Sequence, residues 1–198
     1  MELNNAYLSE IRKYFLEDLT EGNLQIINYS NFDQVCGDKG RSCLVYSLND
    51  GNVIKIPRWI PKWEKKEIIQ GVINEFENQL IALYKGMKTA EVFGIYYTHE
   101  INERIRSFGL AMKDLGRITL DNIENISEKK EAFKLWKLAR EKLSKFGFRK
   151  WDDYKETNAI WVPEEGQTYL IDWGCNNYLG SDREKILNEI YEERRISV

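Results

Sequence analysis

The sequence predicts an α+β protein of two lobes, a β-rich N-terminal lobe with one main helix and a reduced helical C-terminal lobe. Strand-like runs bounded by glycine, asparagine and aspartate dominate the first 115 residues. A single long helical period, from about Lys65 to Lys85, interrupts them. After Gly116 the apolar residues turn to helical spacing. A chain of 198 residues accommodates two such lobes, here 1–115 and 116–198, joined near Lys113 to Arg117.

Each element follows from a local pattern. Leu8, Ile11, Phe15 and Leu19 form one stripe, which predicts an N-terminal extension helix over 3–19. LQIINY reads as a short strand. VCGDKGRSCLVYSLNDGNVIKI reads as a glycine-bearing loop, a strand, a tight NDGN turn and a second strand. Pro57 and Pro61 punctuate the exit. The helix that follows has Ile69, Val72, Ile73, Phe76, Leu80 and Leu83 on its apolar side and Gly86 at its end. VFGIYYTHE and RIRSFGLAMKDLG supply two more strands, completing a small antiparallel sheet. In the second lobe, Phe133, Leu135, Trp136, Leu138, Ala139, Leu143 and Phe146 mark a broad apolar helix side closed by Gly147. NAIWV and TYLI flank PEEGQ as a hairpin, and a last helix spans about 181–195.

Composition narrows the function. A formal charge of -3 supplies no basic footprint for nucleic acid or an anionic membrane. One histidine rules out histidine-based metal centres, and the cysteines 36, 43 and 175 have no ligand spacing. An odd cysteine count, no cleavable signal pattern and no membrane-length apolar run predict a cytoplasmic protein, with leaderless secretion into a host cell as the other compatible location.

One constellation carries chemistry. Asp153, Lys155 and Asn158 stand in a D-x-K-x-x-N pattern just after the long helix of the second lobe. Asn158 opens the hairpin and Asp172 closes it, which brings two hard oxygen donors suited to magnesium together. Asp153 would orient or deprotonate an incoming hydroxyl, and Lys155 would offset charge on a transferring phosphoryl group. In the front lobe, Gly40 lies in a loop whose peptide N–H groups can approach phosphates. Lys55 ends the V-I-K run, ready to reach phosphates beneath that loop. A largely buried lysine needs an acidic partner, and the next helix offers Glu75 and Glu77. Two residues apart, they cannot face one way; Glu77, beside Leu80 and Ile81, is preferred.

These residues resemble the protein-kinase-like superfamily over roughly 33–180, giving a two-lobed protein-kinase-like fold. WDDYKETN is similar to HRDLKxxN, DWG to DFG, VIK to VAIK, and GDKGRSCLV to the glycine-rich loop. The resemblance implies that ATP and Mg2+ are the cofactors, that Lys55 contacts the α- and β-phosphates with Glu77 as partner, and that Asp153 is the catalytic aspartate. Asn158 and Asp172 would hold the metal. Met112 would back the adenine pocket, Lys113, Asp114 and Leu115 would contact adenine through their backbone, and Val45, Val53 and Ile160 would sandwich the base.

The chain departs from the family at Trp151 and Asp152, which replace His and Arg, and at Asp38 and Cys43, which replace the outer glycines. Loss of that arginine implies no control through a phosphorylated activation loop. The 24 residues after Gly174 are too few for an activation segment or a large substrate platform. The resemblance therefore implies a minimal serine/threonine protein kinase with a truncated C-terminal lobe, a monomer that meets a protein substrate or an activating protein partner. Asp-Trp-Gly is also similar to the aminoglycoside and choline phosphotransferases, so a small-molecule kinase is the alternative. A pseudokinase-like binding module is the reading from another class.

Overall fold

The computed structural model describes residues 26–28, 34–36, 43–48, 51–57, 65–99, 107–149, 155–175 and 177–196. The expected N-terminal helix, Gly40, Trp151, Asp152 and Asp153 lie outside them.

Eight strands and three α-helices are described. In order they are β1 (Ile26–Asn28), β2 (Gln34–Cys36), β3 (Cys43–Leu48), β4 (Asn52–Pro57), α1 (Lys65–Tyr84), β5 (Val92–His99), β6 (Ser107–Lys113), α2 (Ile126–Lys145), β7 (Ala159–Val162), β8 (Gln167–Leu170) and α3 (Arg183–Ile196). Two compact units emerge. One takes the described parts of Met1–Phe76, Val92–Asp114 and Tyr191–Val198, the other Glu77–Glu91 and Leu115–Ile190. Helix α1 thus contributes its first part to one unit and its second part to the other.

The first unit is built on a six-stranded sheet in the order β1-β5-β6-β4-β3-β2. The sequence predicts an antiparallel sheet, and neighbouring strands do run antiparallel with one exception: β1 pairs with β5 in parallel. Residues opposed across a ladder share a face, and the face alternates along each strand. Ile54 and Ile56, at 0% and 3% exposure, therefore look away from Lys55 and pack with Tyr46 and Leu48. Gly51 (φ 78) makes the turn between β3 and β4, a backbone region that side chains with a Cβ rarely enter.

In the second unit, β7 and β8 form a separate hairpin whose turn closes at Gly166 (φ 59). Helix α2 begins at Asn125, whose side-chain oxygen accepts from the N–H groups of Ser127 and Glu128 at 2.9 and 3.2 Å. It ends in a left-handed glycine: Phe148 N–H reaches Leu143 O at 2.9 Å and Gly147 N–H reaches Ser144 O at 3.2 Å. The same pattern ends α1, with Met87 N–H on Ala82 O and Gly86 N–H on Leu83 O, both at 2.9 Å. The buried side of α2 is Ala132, Trp136 and Leu143, narrower than the stripe the sequence suggests; Leu138 is 47% exposed.

Candidate functional site

Register places the candidate residues of the first unit. Val45 and Leu110 oppose Lys55 across the ladders flanking β4, and Met112 opposes Val53. Val45, Val53, Lys55 and Met112 therefore share one face of the sheet. From that face the Lys55 ammonium donates to Glu75 Oε1 at 2.6 Å, with side-chain exposures of 15% and 11%. So little water competes that the pair differs in kind from a surface ion pair.

The partner is Glu75, not the expected Glu77. Glu77 instead accepts from Arg183 Nη2 at 2.7 Å. Residues 75–82 of α1 are all buried, so its middle has no wet side and the apolar period cannot tell one glutamate from the other. At the positions expected to contact adenine, the Asp114 N–H donates to Gly51 O at 3.1 Å and is thereby engaged within the sheet. Lys113 is exposed; Asp114 and Leu115 are half-buried.

The second unit carries candidate residues of its own. Lys155 is exposed, and its carbonyl accepts Asn158 N–H at 2.9 Å, closing a short 3-10 turn ahead of β7. Ala159 opposes Leu170, and Ile171 N–H donates to Asn158 O at 3.0 Å, so Asn158 and Asp172 occupy one end of the hairpin. Asp172 has φ 64, the one positive value at a described residue other than glycine. Aspartate tolerates this region better than most residues, yet such a backbone needs support from its surroundings. Ile160 is buried in β7 and bridges Thr119.

An amide oxygen and a carboxylate suit magnesium, which keeps several waters and takes its remaining oxygens from phosphates. Among the described residues no group of three or more His, Cys, Asp or Glu could hold a metal ion. A cation here would rest on Asn158, Asp172 and ligand oxygens.

Thr89, Asn78 and Arg183, which no motif announces, hold Trp173 and the chain that follows it. The Trp173 ring has no exposed surface, and its indole N–H donates to Thr89 Oγ1 at 2.7 Å and to Leu170 O at 3.3 Å. Phe148 meets it edge-on, with centroids 5.2 Å apart. Asn78 (0% exposed) donates from Nδ2 to Trp173 O at 3.3 Å. Its Oδ1 accepts Tyr178 N–H at 3.2 Å and Arg183 Nη1 at 3.0 Å. The signal was present for Asn78 alone: an asparagine amid the apolar residues of a helix must be satisfied where it is buried.

A second polar group borders this one. Tyr178 donates its hydroxyl to Asp182, and the Lys85 ammonium binds Asp182 at 3.1 Å while lying 5.3 Å from the Tyr178 ring centre. The tyrosine bond, then the lysine bond, hold the Asp182 carboxyl below its usual range. The bond to Tyr178 raises Lys85, and burial foremost raises Tyr178.

No family model matches the chain. No curated protein matches it either. Among solved structures the chain is similar to WbdD, at a TM-score of 0.50 and 20% identity over 82% of this chain and 37% of that one. A second structure, of the bifunctional kinase-methyltransferase WbdD, matches at a TM-score of 0.46 and 21% identity, over 78% of this chain and 35% of that one. The chain thus spans little more than a third of the length of the protein it resembles. The fold is α+β and protein-kinase-like, with a β-rich part and a smaller helical part.

Proposed function

We propose that the chain is an ATP- and magnesium-dependent phosphotransferase acting on an alcohol. The observation that carries this reading is the Lys55–Glu75 pair, a strand lysine held at 2.6 Å by a helix glutamate on the face that carries Val45, Val53 and Met112. Held in this way, the ammonium keeps its charge and a fixed direction, which suits it to the α- and β-phosphates. Asn158 and Asp172 would hold magnesium, which would offset the charge that develops on the phosphates.

Asp153 aligns the acceptor hydroxyl. The acceptor oxygen forms a bond to the γ-phosphorus as the bond from that phosphorus to the bridging oxygen breaks, and ADP departs with the electron pair. The hydroxyl proton passes to the Asp153 carboxylate and then to water. Lys155, exposed beside the loop, opposes charge on the phosphoryl group in flight. Positioning and electrostatics supply most of the acceleration in such a reaction.

The acceptor is a hydroxyl-bearing small molecule in preference to the serine or threonine of a protein. The Asp172-Trp173-Gly174 run, similar to that of the aminoglycoside and choline phosphotransferases, supports that choice. The decisive test pairs a magnesium-dependent nucleotide shift in melting temperature with transfer of radiolabelled phosphate from ATP to small alcohols and to proteins. Asp153→Asn abolishes transfer and spares nucleotide binding; Lys55→Met weakens binding and lowers turnover by about 100-fold or more. Unchanged transfer by the Asp153→Asn protein would overturn the assignment. Nucleotide binding without transfer to any acceptor would favour the binding module.

A further inference from the structure

We infer that Asn78 and Arg183 form a clamp that positions Asp172 for a divalent cation, an inference that rests on the phosphotransferase reading above. Asp172 adopts φ 64, so its direction depends on what fixes the residues at either side. On one side Ile171 is tied to Asn158 O at 3.0 Å. On the other side stands Trp173, whose ring is held by Thr89 and whose carbonyl is held by Asn78.

Asn78 does more than fill space. Its nitrogen meets the carbonyl at the start of the loop after Asp172, and its oxygen meets the N–H of Tyr178 at the loop's far end. One carboxamide therefore pins both ends of that loop. The amide has one orientation that satisfies all its partners, because the oxygen faces two donors and the nitrogen faces an acceptor. Arg183 fixes the carboxamide in turn, with Nη1 on Asn78 Oδ1 and Nη2 on Glu77 Oε2. Leucine at position 78 would match the volume and serve none of these bonds. Aspartate would keep the acceptor and set a carboxylate against the Trp173 carbonyl.

The clamp is tested on the full chain by manganese titration followed by electron paramagnetic resonance, in the presence of a non-hydrolysable ATP analogue. Asn78→Asp is expected to weaken manganese binding by about 10–100-fold, the usual consequence of disturbing the groups behind a metal ligand. Affinity for the analogue without metal stays within about twofold, since only the metal-dependent part is disturbed. Arg183→Lys, at a partly exposed position, gives a smaller loss in the same direction and keeps the test open should Asn78→Asp not fold. Asn125→Ala, which removes a helix cap far from these bonds in the chain, lowers the melting temperature and leaves manganese affinity unchanged. If Asn78→Asp and Arg183→Lys behave like Asn125→Ala while Asp172→Ala loses manganese, the clamp is refuted and the phosphotransferase reading stands. If the wild-type protein binds neither analogue nor manganese, both fall together.

Discussion

Trp173 shows how one residue can meet two demands. Its ring fills a site with no access to water, and its N–H satisfies Thr89 Oγ1 at 2.7 Å. Trp173→Phe removes the donor and part of the volume, which lowers stability by about 1–3 kcal/mol in urea unfolding. Thr89→Val in the Trp173→Phe background should recover part of that loss, because the orphaned hydroxyl is then gone. The glutamates of α1 make the complementary prediction. On the proposed function, Glu75→Gln is expected to lower phosphoryl transfer and nucleotide affinity through Lys55. Glu77→Gln acts first on Arg183, so it shifts manganese dependence more than affinity for metal-free nucleotide. Steady-state kinetics at varied ATP and varied magnesium separate the two. At this scale the sequence was partly legible. Lys55 stood out because it ends a V-I-K strand run, and Asn158 and Asp172 because they bracket a hairpin. The choice of Glu75 was hidden, since a helix buried all round through residues 75–82 has no apolar side to read.

The elements were the most legible layer, because their ends carry chemistry that needs no partner from elsewhere in the chain. Gly86 and Gly147 both stop helices where a left-handed residue lets trailing N–H groups turn back onto carbonyls. Gly147→Ala is expected to destabilise by more than 1 kcal/mol, roughly the cost of a Cβ at positive φ alone. An added Cβ there would also stand 2.9 Å from Tyr178 Cε2. Asn125→Ala costs about 1 kcal/mol through the lost cap. Thermal unfolding of both variants measures these terms, and Gly147→Ala should lose more. Less legible were the parallel pairing of β1 with β5 and the narrow buried side of α2. Strand direction is fixed by connections and neighbours, and the width of a buried stripe by what packs on it. Neither is a property of the segment's own pattern.

For the molecule as a whole, the Lys85, Tyr178 and Asp182 group sets a pH window. The charged carboxylate of Asp182 is favoured by folding, so its contribution is present above the ordinary value of 3.8 and is lost as pH falls through the lowered one. Folding favours the ammonium of Lys85 and the neutral phenol of Tyr178. Their contributions are complete below 10.5 and 10.0 and fade as pH rises through the raised values. The melting temperature should therefore be level from about pH 5 to 9 and decline on either side as these groups titrate. Tyr178→Phe should flatten both limbs, and a pH series of thermal melts records it. The way the chain is shared between the two units has a different consequence. Residues Glu77–Glu91 belong with Leu115–Ile190, and they bring Asn78 and Thr89 to Trp173 and the Lys88 carbonyl to Leu170 N–H at 2.9 Å. A gene cut after residue 115 would hand the downstream fragment its helices and hairpin without the scaffold that seats its tryptophan. That fragment should stay unfolded alone and recover order when the upstream piece is supplied in trans. The two halves are thus interleaved along the chain, and no single cut separates one from the other.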